Sequence, residues 1–353
     1  MPQNAHEKKF TYLPSLDGIR GIAVIFVMML HGSYNYFKGG WIGVDLFFVL
    51  SGYLITSLLQ TEYESSGNIS LKNFYIRRAL RLFPALIISV LLANLLWNIS
   101  TPYFYDIGNQ NLSTAGALFY FINILPKEIT GNLGHLWSLC VEEHFYILWP
   151  VTAILLFKLH YRQRIVFLSV IIAVITILRI VASNYYFSFF NGAIQIDPYR
   201  FTFCRADNIM AGCLLAYILN HKKKNVIDTV DKKKSTFLLL ICFLLFAVIL
   251  FTIDIVNRWW LNGGFILTNL LCVATILLAV KNPSLHFLSN KILHWIGVRA
   301  YGIYLYHRII FYPFEGLRVE HSPVNFILVS LLRIGATLVV VYFSYRFIEQ
   351  PVL

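Results

Sequence analysis

An arginine and a histidine eleven residues apart, Arg20 and His31, stand toward the two ends of an almost wholly apolar run, "DGIRGIAVIFVMMLHGS" (17–33). At 100° per residue, eleven residues return to within about 20° of the same helical face and rise about 16 Å, so both line one stripe. An ionisable side chain in hydrocarbon is expensive, and it is a functional candidate until a structural partner accounts for it. His31 is the natural general base, because imidazole gains and loses a proton near neutrality. After the short loop "KGG", the next run, "GVDLFFVLSGYLI", brings Asp45 to a similar depth. A carboxylate bonded to one imidazole nitrogen fixes the tautomer and frees the other as a base. Equally, Asp45 sits just after "GG", a good helix-start position for an acid, and His31 can simply hydrogen-bond within a bundle. The pattern leaves both readings open.

Two further groups could do chemistry. In "FYIRRALRLFP", Arg77, Arg78 and Arg81 precede Pro84 at spacings of three and four, so on a helix all three can face one ligand. Guanidinium forks grip phosphate bidentately, which suits a phosphorylated cosubstrate; the alternative is a positive anchor among lipid headgroups. In "GHLWSLCVEEHFYILWP", Ser138 and Glu142 are one turn apart, with Tyr146 a turn further. Phase selects Glu142 over Glu143 as the acid that shares a face with Ser138, unless the pair is a helix-start device. The charges in "CRADNIMAG" and "YGIYLYHRII" read as interhelical structural pairs.

The elements that must position these residues are membrane helices. Of the residues 58% are hydrophobic and 13% charged, and the mean hydropathy is +0.66, which excludes an ordinary soluble domain. About ten spans are expected: Ile19–Tyr36, Trp41–Leu59, Pro84–Asn98, Leu136–Phe157, Ile165–Ser183, Asp207–Leu219, Phe237–Ile253, Gly264–Val280, Ala300–Phe314 and Phe326–Phe347. Ala115–Ile124 is too short to span and reads as a re-entrant or interfacial piece. Counted outside these spans, about 19 Lys and Arg lie on the side of the termini against about 5 on the other, which predicts cytoplasmic termini. The net charge of +12 is therefore topological, and the basic loop "NHKKKNVIDTVDKKKS" (220–235) is a lipid-facing anchor. Nucleic acid is excluded as a partner, because the basic residues are not interleaved with stacking aromatics. Five unpaired-spacing cysteines support neither a disulfide framework nor a CxxC site, and no metal is expected. The chain, 1–353, reads as a single membrane domain with no appended soluble domain.

Taken in order, "LDGIRGIAVIFVMMLH", "GVDLFFVLSGYLI", "FYIRRALRLFP", "LWSLCVEEHFYILWP", "RADNIMAG", "YGIYLYH" and "RFIEQP" resemble the acyltransferase 3 family of integral-membrane acyltransferases along essentially the whole chain. The resemblance implies an all-α bundle of about ten transmembrane helices, in a bacterial inner membrane, that moves an acyl group, most often acetyl, from cytoplasmic acyl-CoA to a hydroxyl. The acceptor it implies is a carbohydrate or glycolipid such as lipopolysaccharide O-antigen or exopolysaccharide. Carried over, Arg20 and His31 are the family's Arg, ten residues, His pair, with His31 the base. Arg77, Arg78 and Arg81 match the basic motif suited to CoA phosphates, and Glu142 the acid of the SxxxE motif beside Ser138. His144 departs from the glutamine common at that position. The extracytoplasmic hydrolase-like domain of some members is not seen, so a separate partner could complete the transfer. A secondary transporter or flippase of a lipid-linked glycan is the alternative, and would show inverted repeats, of which none is clear.

Overall fold

The structure is a computed structural model that describes residues 12–100, 109–185, 187–189, 194–223, 231–255, 257–282, 285–314 and 323–352; residues 1–11 and the 224–230 part of the basic loop lie outside them. Its elements are α1 (Pro14–Gly32), α2 (Ile42–Ser66), α3 (Leu71–Ser100), α4 (Gln110–Leu118), α5 (Lys127–Thr130), α6 (Trp137–Phe157), α7 (Tyr161–Asn184), α8 (Thr202–Lys223), α9 (Lys232–Thr252), α10 (Phe265–Lys281), α11 (Lys291–Val298), α12 (Ala300–Phe311) and α13 (Pro323–Ser344). A two-residue ribbon, β1 (Ser188–Phe189) against β2 (Ile194–Gln195), joins α7 to α8. In hydrocarbon every backbone donor and acceptor must be satisfied within the chain, which is why such apolar runs resolve into helices.

Nine helices among the described residues are long and apolar enough to cross a membrane. The expected span Ala300–Phe314 is the one that differs. Asn290 caps α11, Arg299 interrupts the helix, and α12 has only 12 residues, about 18 Å of rise against a hydrocarbon core of about 30 Å. The short segment 115–124 forms the end of α4 and a 3₁₀ turn, not a span.

Burial sorts the helices into a centre and a rim. In α2 78% of the most apolar window is buried, whereas in the helix containing α13 only 17% is, and its Leu328, Leu331 and Leu332 face outward as a lipid-exposed surface does. The central helices touch through small residues. A side chain added at Gly52 of α2 would collide with the Ile209 carbonyl, and one at Gly212 of α8 with that of Val49. Likewise Gly297 abuts the Asp17 carbonyl and Gly21 that of Leu293, so α11 lies against the start of α1. Near its far end α1 meets α12, where His31 reaches His307. Hence α12 runs beside α1 in the same direction, from the basic end of the bundle to the opposite one.

Candidate active site

At the basic end, α1, α2, α3, α6 and the α11–α12 turn surround a narrow cavity of about 100 Å³. Arg20, Arg78 and Arg81 line it together with Ser51, Ser138, Glu142, Tyr146 and Tyr304. The helical spacings of the sequence place these side chains directly: Ser138, Glu142 and Tyr146 form one face of α6, and Arg78 and Arg81 one face of α3. Arg20 is half-buried and donates to Asp17 Oδ1 at 2.9 Å, a carboxylate also bonded by the Tyr12 hydroxyl. Arg77, expected with the other two, instead points outward, with its guanidinium 3.8 Å from Glu62. Two arginines of the motif, not three, therefore serve the cavity.

The acid of α6 is held by neutral donors. Ser51 Oγ donates to Glu142 Oε1 at 3.1 Å, and the Tyr146 hydroxyl to Oε2 at 3.2 Å. Arg78 lies over the Tyr146 ring, 4.5 Å from its centroid, a cation–π contact that holds the guanidinium at the cavity wall. Glu143 is the more buried of the two acids, at 8% exposure, but does not line the cavity. His144 pairs with Thr202 Oγ1 at 2.7 Å and ties α6 to α8. Ser138 shares the cavity with Glu142, yet its hydroxyl is engaged 2.5 Å from that of Tyr304, which itself donates to the His135 carbonyl at 2.5 Å.

Tyr304 separates the cavity from a group of histidines. One part of it lines the cavity, while its ring centroid lies 5.7 Å from those of His135 and His307. Beyond it His307 Nε2 is 3.0 Å from His31 Nδ1. His31 is half-buried and does not itself line the cavity. The Arg20 to His31 stripe thus leads from a basic mouth to an imidazole, with the Ser138–Tyr304 contact across the way.

Asp45 is not the partner of His31, and here the structure corrects the expected pairing. Its carboxylate is fully buried in an ion pair with Arg205 of α8 and accepts from Thr268 Oγ1 at 3.1 Å. Depth along the bundle was matched, but azimuth was not: residue 45 of α2 faces α8 and α10 while His31 faces α12. Arg179 and Asp207 complete the cluster at 2.6 Å, with the Arg205 guanidinium stacked 4.1 Å from the Phe265 centroid. Among the residues read as structural pairs, Arg205 and Asp207 form buried ion pairs, whereas His307 meets another imidazole, His31 of α1. The intramembrane histidine of "YGIYLYH" was the signal that could have singled it out; Tyr304, one turn earlier, had none beyond its place in that motif.

Helices of spanning length thus enclose a cavity with arginines at its mouth and polar side chains at its end. The family follows from the sequence: the acyltransferase domain model of the acyltransferase 3 family matches residues 13–346, and the chain belongs to that family. It is 34% identical over 98% of its length to a Staphylococcus aureus (strain COL) protein named provisionally as an O-acetyltransferase. It is 31% identical over 97% of its length to the peptidoglycan O-acetyltransferase OatA of Listeria monocytogenes, and equally similar to YrhL of Bacillus subtilis, named provisionally for the same activity. The chain spans 55–58% of the length of these relatives. No solved structure matches it.

Proposed function

We propose that this protein is a membrane O-acetyltransferase that carries an acetyl group from cytoplasmic acyl-CoA to a hydroxyl of a cell-envelope carbohydrate, with both ends of its membrane domain on the cytoplasmic side. In that topology α12, which runs beside α1 toward His31, makes the tenth crossing. The observation that carries the reading is the cavity, lined by Arg78 and Arg81, which suit the phosphates of CoA, and by Tyr304, whose ring stands between it and the histidine group. The relatives' names favour peptidoglycan as the acceptor to try before lipopolysaccharide O-antigen or exopolysaccharide.

In this mechanism the CoA phosphates dock at the arginines and the pantetheine arm extends up the cavity past Ser51 and Glu142. The thioester reaches His31 once the Ser138–Tyr304 contact parts. His31 removes the proton of the acceptor hydroxyl as its oxygen attacks the thioester carbonyl; the C–O bond forms, the C–S bond breaks, and the proton passes to the departing CoA thiolate. General-base help of this kind contributes about 10² to 10⁴ in rate. Glu142 holds Ser51 and Tyr146 in place at the wall, and Arg20 supplies positive charge along the path.

Labelled acetyl-CoA offered to the purified protein in nanodiscs, with peptidoglycan fragments as acceptor, tests the reading. Wild type binds and transfers, Arg78→Ala loses donor affinity, and His31→Ala binds without turning over. Absence of acyl-CoA binding by the folded wild type would overturn it.

A further inference from the structure

We infer that His307 is the residue that orients the base, setting the tautomer of His31 so that its Nε2 carries the free lone pair. The inference rests on His31 being the base, and it replaces the role that the sequence offered to Asp45.

The chain of protons can be read from the acceptors, because a carbonyl oxygen never donates. His307 Nδ1 lies 2.8 Å from the Tyr304 carbonyl and 3.1 Å from that of Ile303. Its Nδ1 must therefore bear the hydrogen, which leaves Nε2 as an acceptor in the neutral ring. His31 Nδ1 is 3.0 Å from that Nε2 and 3.1 Å from the Val27 carbonyl. Both partners are acceptors, so His31 Nδ1 also bears a hydrogen and its Nε2 is left to take a proton. The two rings, with centroids 5.0 Å apart, are fixed by backbone on each side: α1 through Val27 and α12 through Ile303 and Tyr304.

Two properties of this arrangement suit a base. It holds the tautomer without placing a second charge in the membrane interior, whose solvation would be costly. It also persists when Nε2 is protonated, since the Nδ1 hydrogen of the imidazolium still points at two acceptors and strengthens both bonds. The other basic groups near His31 are His135, on the turn before α6, and Arg308, next to His307. Neither is in hydrogen-bond contact with His31 Nδ1, so His307 is the side chain that shares this hydrogen with the Val27 carbonyl. Because His307 lies one turn beyond Tyr304 on α12, a movement of Tyr304 that admits the thioester would act on the same helix that aims the base.

The test compares His307→Phe, which keeps an aromatic ring but offers no acceptor, with His307→Gln, whose side-chain oxygen can accept from His31 Nδ1. Acetyl-CoA binding and thermal unfolding are measured beside kcat and KM for transfer. Expected are a fall in kcat of about 10² for His307→Phe with unchanged donor binding, recovery of at least tenfold in His307→Gln, and no further loss when His307→Phe is added to His31→Ala. Equal kcat in the Phe and Gln variants, or wild-type kcat in the Phe variant, would overturn the assignment. An active His31→Ala protein would instead overturn the underlying reading of His31 as the base.

Discussion

Two polar clusters lie inside the bundle, and they differ in how their charge is balanced. Around Asp45, two acids and two arginines are wholly removed from solvent, and each acid meets one arginine: Asp45 with Arg205, Asp207 with Arg179. Asn269 and Thr268 of α10 bond the same carboxylates. Around His31, no acid pairs with either imidazole among the described residues; the partners are backbone carbonyls and the neighbouring ring. The first cluster joins α2, α7, α8 and α10 and has its charges cancelled on the spot. The second adjoins a cavity and leaves a nitrogen uncommitted. Ionisable residues in a membrane are thus not all of one kind: in one cluster opposite charges pair and hold helices together, and in the other an imidazole held by neutral partners keeps a lone pair.

The sharpest way to break this comparison is to remove one residue from each cluster. His31→Ala should lower transfer per folded molecule by about 10² to 10⁴ while leaving the melting temperature nearly unchanged. Asp45→Asn should do the reverse. Leaving Arg205 buried without its partner costs about 3–5 kcal/mol, read as a lower unfolding temperature in detergent, with transfer per folded molecule retained. If the folded Asp45→Asn protein were as inactive as His31→Ala, the division between the clusters would fail. A milder version replaces both partners: Asp45→Leu with Arg205→Met should recover much of the stability lost in Asp45→Asn, because the desolvated charge is then gone.

Within the cavity the expected effects are smaller. Arg78→Ala should weaken acetyl-CoA binding about 10- to 100-fold, as loss of a charge-assisted contact of about 1.5–3 kcal/mol implies, and Arg78→Lys should restore only part of it. Arg77→Ala, which removes only an outward-facing contact with Glu62, should change the same binding less than about twofold. Equal losses at both positions would mean that the arginines act as a diffuse basic surface and not as a shaped site. The least effect is expected from Ser51→Ala, which deletes one donor to Glu142; at about 1 kcal/mol it should alter KM or kcat a few-fold.

Local periodicity was enough to place most of the cavity wall. The spacing of Ser138, Glu142 and Tyr146 and of Arg78 and Arg81 predicts shared faces, and those faces do meet in the cavity. The same reasoning put Arg77 with its neighbours, yet which of two outward positions turns toward a cavity depends on the helix packed beside it. Depth could also be estimated from rise per residue, and so Asp45 and His31 were set level. Rotation about the helix axis could not, because the reference direction is supplied by α8, α10 and α12, which lie more than a hundred residues away in sequence. For that reason Asp45 went to Arg205 and the imidazole to His307.

What the sequence determined by itself is the class of object: apolar runs of spanning length, the sidedness signal of its Lys and Arg, the ordered motifs of its family, and the helical faces that carry arginine, serine and acid. These follow from properties of a single segment, namely hydropathy, periodicity and composition. Only the tertiary structure decided which charges cancel, where the cavity ends against Tyr304, and which side chain touches His31. Such outcomes depend on the relative rotation of helices fixed by close glycine contacts such as Gly52 with Ile209 and Gly297 with Asp17, and a contact between two segments is not a property of either one alone.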